Sequence, residues 1–277
     1  MHDALEDYAL YQNDVSTLLD TDINARNVDA ALARISRHNP ASVARGWIAY
    51  GALTAAQSPE FVASIERSVR EDGRAVVLSQ LRSDPGYARR QSGGDQAIHL
   101  ILTAAGADGA RAGDAGDRYD HYARQALPNV QLVSSVYVAD LGGSTRLSQA
   151  MRERLNIGPL GGHPANDAEA FGGRGFWDSI ASRSARSSGG GGRREETTYA
   201  SVTDHMLTLS ALVVADAADS TQASELLNEP LTRDCLHMQQ LQLRQCLSVS
   251  HDPGERAYCM GHHALEGPGA CFANVVR

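Results

Sequence analysis

The chain has 277 residues, 42% of them hydrophobic and 21% charged, an ordinary globular balance with length enough to bury a core without cysteine staples. All 25 basic residues are arginine, a pattern of GC-rich, bacterial-type coding, and the lack of lysine excludes P-loop, Schiff-base, pyridoxal phosphate and Ser–Lys chemistry. The net charge of −8, with Arg193 and Arg194 neutralised by Glu195 and Glu196, argues against nucleic acid as a partner. The longest apolar stretch, 206–215, is half of the roughly 20 residues that a membrane span needs.

Helical signals dominate from the start. Leu5, Tyr8, Val15, Leu18 and Leu19 recur at helical spacing, with acidic residues early, where they oppose the helix dipole. A second helix reads over 28–35, stopping before Asn39-Pro40, and a third carries Val43, Trp47, Ile48 and Leu53. Ser58 as N-cap, Pro59 at the first helical position and Gly73 as terminator bound a fourth, with 75–81 in the same style. Residues 96–105 read as another helix. The run 106–116, rich in Gly, Ala and Asp, reads as a loop. Over 129–141 strand-like alternation competes with helix, and helix is preferred; 158–175, punctuated by glycines, reads as an irregular connection. Residues 182–194, with Gly189, Gly190, Gly191 and Gly192 in a row, have linker composition. A long helix is expected over 197–227, followed by a helical hairpin.

Most chemical motifs fail on inspection. Asp20, Asp22 and Asn24 imitate a calcium loop, but Ala25 and Ala31 stand where glycine and a bidentate glutamate are needed. Asp108, Asp114 and Asp117 follow no regular ligand spacing and read as a solvated loop. Asp117, Asp120 and His121 form an acid–base pattern that more often marks a solvated helix face. Gly142 to Thr145 reads as a turn or cap, and no nucleophile-elbow, metalloprotease or C-x-x-C motif is present. No catalytic residue, metal ligand or cofactor is assigned.

The informative region is 230–277, which holds all four cysteines. Cys235 and Cys246 lie eleven residues apart on one helix, on the same side, with Cα atoms about 16 Å apart, far beyond the roughly 7 Å limit for a disulfide. The turn His251-Asp252-Pro253-Gly254 sends the chain back as a helix presenting Cys259, and an extended tail after Gly267-Pro268-Gly269 presents Cys271. An antiparallel hairpin then nests the pairs as Cys246–Cys259 inside Cys235–Cys271. The competing reading is zinc, since His237, His251, His262 and His263 lie among the cysteines and Cys259-x-x-His262 has ligand-like spacing. The even, clustered cysteine count favours disulfides.

The expectation is therefore an all-α protein. A helical body over 1–181 and a flexible segment over 182–194 precede a long helix and disulfide-stapled hairpin over 195–277, packed on the body. The opening His2, Asp3, Glu6 and Asp7 do not read as a signal peptide. Disulfides would place the protein in the periplasm or outside the cell, with Met1 standing in for a removed leader; reduced or metal-bound cysteines would place it in the cytoplasm. The expected role is a structural or protein-interaction one in the envelope, with an unidentified protein partner. The alternative is a hydrolase with a His/Asp or zinc-dependent site.

Overall fold

A computed structural model describes residues 1–127 and 193–273, and their regular elements are all helices, without strands. The readings over 129–141, 158–175 and nearly all of 182–194 lie outside the described residues. The first helices follow their local signals closely. Helix α1 (His2–Asp20) buries Tyr8, Tyr11, Val15 and Leu18 on one stripe. Helix α2 (Val28–Ser36) buries Val28, Ala31 and Ile35. In α3 (Pro40–Ala55), Asn39 caps the amides of Ala41 and Ser42, and Trp47, Ile48, Ala49 and Ala52 are fully buried. Helix α4 (Pro59–Asp72) starts on a Ser58 cap and ends at Gly73, whose φ of 89° is costly for any residue with a Cβ. Helix α5 (Arg74–Ser83) follows directly.

Helix α6 (Gly94–Ala126) overturns one reading. It runs for 33 residues, about 50 Å at 1.5 Å per residue, straight through the glycine-rich stretch expected to be a loop. Here the glycines serve close approach, not turning. A Cβ added at Gly109 would lie 2.8 Å from the Gly269 carbonyl oxygen, and one at Gly116 would lie 2.7 Å from that of Gly261. The contact is reciprocal, since a Cβ at Gly261 would meet the Gly116 oxygen at 2.8 Å. The intervening alanines are buried as well, so the C-terminal helices lie almost backbone to backbone on α6.

The expected long helix over 197–227 is also broken. Helix α7 (Arg193–Val214) ends where Asp216 adopts a left-handed φ of 55°; Ala217 N–H donates to the Leu212 carbonyl (2.7 Å) and Asp216 N–H to that of Val213 (3.1 Å). That is a Schellman stop made without glycine. The Arg74 guanidinium, donating to the carbonyls of Ala215 (2.9 Å) and Asp216 (2.5 Å), ties it to α5. Helix α8 (Thr221–Leu227) then leads into α9 (Pro230–Ser248).

The return arm is helical to its end. Asp252 and Glu255 form a reciprocal capping box that starts α10 (Pro253–Met260). A π-helical segment (Gly261–Glu266) continues it into α11 (Gly267–Ala273). Cys271 therefore sits on a helix, not on the extended tail expected. The arm packs on α6, while α1 and α7 pack on α3, so α3 and α6 form the centre. Tyr8, Trp47, Tyr50 and Phe272 join the two ends of the chain in one aromatic cluster, with neighbouring ring centroids 5.4–6.2 Å apart.

Candidate functional site: the stapled helices and the cleft beside them

Both disulfides form in the nested pattern, Cys246–Cys259 with Cα atoms 5.6 Å apart and Cys235–Cys271 at 5.8 Å. Helix α9 supplies the first cysteine of each pair, and the return arm supplies the second. No cysteine is free, so no thiolate remains to bind a metal. Among the described residues no group of three or more His, Cys, Asp or Glu is arranged to hold a metal ion.

The histidines separate by environment. His237 and His251 are exposed. His262 is buried in the π segment, its Nε2 3.2 Å from Asp120 of α6 and its Nδ1 3.0 Å from Glu266, with the Tyr258 ring tilted against it, centroids 4.3 Å apart. Burial pushes this imidazole toward neutrality, but the two carboxylates outweigh it and raise it to about 9. Both ring nitrogens are therefore donors at neutral pH, and no lone pair is left for base catalysis. Burial also works against the Asp120 carboxylate, yet His262 and Arg124 hold its pKa below the ordinary value. Burial and the neighbouring His262 charge push His263 down to about 4, so it is neutral.

Of the Asp117, Asp120 and His121 pattern, only Asp120 enters this cluster; His121 is exposed and pairs with Gln125. Asp108 is not on a solvated loop. It is 2% exposed on α6, accepts from the Tyr8 hydroxyl at 2.6 Å and pairs with Arg111 at 2.8 Å. That network crosslinks α1 to α6 and is structural.

Sequence reasoning missed a second cluster. Asp14 of α1, its side chain 1% exposed, accepts from Arg34 (3.1 Å), Arg37 (2.7 Å) and His38 Nε2 (2.7 Å). Burial opposes its charge, but these three donors lower its pKa on balance. The cluster fixes the α2–α3 turn against α1, and His38 lies on the wall of a cleft. The cleft runs between that turn and α9, with Ile35 and Val43 on one side and Leu236, Leu243 and Leu247 on the other. His263 reaches it from the π segment. Nothing in the local sequence joins positions 35–43 to 236–247; only the docking of α9 does.

The opposite side of α9 exposes four large apolar side chains, interspersed with exposed Asp234 and Gln245. Leu231 is 38% exposed, Met238 53%, Leu241 43% and Val249 59%. At 100° per residue Leu231, Met238 and Val249 fall within about 20° of one line, with Leu241 about 60–80° aside. Among the described residues no helix is long and apolar enough to cross a membrane. No protein-family model, curated protein or solved structure matches the chain.

Proposed function

We propose that this is an exported protein whose disulfide-pinned helix α9 presents an interaction surface to another protein outside the cytoplasm. The observation that carries the reading is the apolar line on the outer face of α9. Four of the six large hydrophobic side chains exposed among the described residues lie on this helix or at its end, which scattered surface leucines would not produce. The two disulfides support an oxidising compartment. They also hold the face rigid, which lowers the ordering cost of binding.

The partner's chemistry follows from charge. Residues 230–248 carry Arg233, Asp234 and Arg244 as their only formal charges, within a chain of net charge −8. Arg233 and Asp234 pair with each other at 2.8 Å. Arg244 lies on the cleft side of α9, which leaves the outer face near neutral and suited to an amphipathic helix with an apolar face and uncharged flanks. The test places a photo-crosslinking residue at Met238 in the cells that make the protein, with Glu66, exposed on α4, as control site. A discrete adduct at Met238 that Leu241→Asp removes, and that is absent at Glu66, is expected. Identical adducts at both sites, or none at Met238, would sink the proposal, as would recovery of the protein with reduced cysteines.

A further inference from the structure

We infer that the cleft between the α2–α3 turn and α9 is a binding site for a small aromatic monocarboxylate. Size sets the first limit. The cleft measures about 160 Å³, close to the engineered cavity of about 150 Å³ that holds a benzene ring. Drug-sized ligands fill roughly 300–1,000 Å³, so only a group much smaller than that is enclosed here. One six-membered ring fits.

The wall chemistry narrows the class. Ile35, Val43, Leu236 and Leu243 are each 5% exposed or less and make the floor apolar. Among the described residues, no Asp or Glu lines the cleft, although the chain carries 33 acidic residues. Arg244 stands exposed at the cleft and forms no ion pair with a described residue. Gln240, one helical turn before Arg244, also lines the cleft and carries an amide donor. A planar guanidinium matches a carboxylate in bidentate, charge-assisted geometry, which a neutral oxygen matches less strongly and a cation not at all. A ring on the floor and a carboxylate at Arg244 use both features together.

Both walls are fixed before any ligand arrives. Cys235 and Cys246 pin α9 on either side of Leu236, Leu243 and Arg244, and the Asp14 cluster fixes the other wall through His38. The site lies on the side of α9 away from Met238, so it stands or falls independently of the proposed protein interface.

The experiment titrates the oxidised full-length protein with benzoate, benzyl alcohol and benzylamine, by calorimetry and by methyl NMR of Ile35, Val43 and Leu243. Benzoate should bind at least about tenfold more tightly than the other two, a difference read directly from the dissociation constants, and should shift those three methyls. Arg244→Gln should weaken benzoate by about tenfold and leave benzyl alcohol nearly unchanged. Leu247→Asn should weaken both, and Met238→Gln neither. Equal binding of benzoate and benzyl alcohol, an unaffected Arg244→Gln variant, or no methyl shift at millimolar benzoate would each overturn the assignment.

Discussion

Two adjacent histidines carry opposite pH signatures. The folded state raises His262 from an ordinary 6.5 to about 9. Its stabilisation is complete below pH 6.5 and is lost as pH rises through 9, because the folded state then gives up a proton it held more tightly than the unfolded chain. His263 falls to about 4, so its contribution is complete above pH 6.5 and is lost as pH falls toward 4. Stability measured by urea unfolding should therefore peak near pH 6.5. His262→Gln should flatten the alkaline limb, and His263→Gln the limb between 6.5 and 4. The steeper loss further down, as Asp14 and Asp120 protonate below their ordinary 3.8, should survive in the His263 variant. Alkaline slopes equal in wild type and His262→Gln would show that the imidazolium does not hold these carboxylates. The sequence exposed His262 as a candidate, but not its charge, since Asp120 lies 142 residues away.

At the scale of elements, α6 is the case where local propensity and packing conflict. Each interior glycine costs about 0.5–1 kcal/mol relative to alanine in a helix, which is why 106–116 resembles a loop. Gly116→Ala distinguishes the two descriptions by sign. In an open loop or an isolated helix the change is neutral or stabilising by reducing unfolded-state entropy. Against the Gly261 oxygen at 2.7 Å, with Glu266 Cβ and N both at 3.1 Å, the methyl forces the arm away. Overpacking of this kind costs about 1–3 kcal/mol, so the urea midpoint should fall with an unchanged slope. A rise in the midpoint would contradict the packed arrangement. The break between α7 and α8 has the same origin: Asp216 carries no glycine signal, and the stop holds because α5 supplies Arg74 to its carbonyls.

At the scale of the whole molecule, the bridges close loops with sequence separations of 13 and 36 residues, about 3 and 4 kcal/mol by loop entropy. Cys235→Ala with Cys271→Ala should thus cost more than Cys246→Ala with Cys259→Ala. Reductant should lower the melting temperature, and chelator should leave it unchanged. A chelator-sensitive melt would return the cysteines to a metal site. Much of this framework was legible in the linear chain. Helical periodicity, the Ser58 cap, the turn at 251–254 and the nested pairing all follow from geometry within a few turns, or from the fixed rise of one helix. The continuous α6, the charged state of His262, the Asp14 cluster and the cleft were not. Each depends on what lies opposite, as Gly109 meets Gly269 across 160 positions, and a glycine with nothing yet against it is read as a turn. Helix α9 makes the same point, for its leucines occur on both faces. Only docking on α3 and the return arm separates buried Leu236 and Leu243 from exposed Met238 and Leu241, because hydrophobicity marks a surface to be covered without naming what covers it.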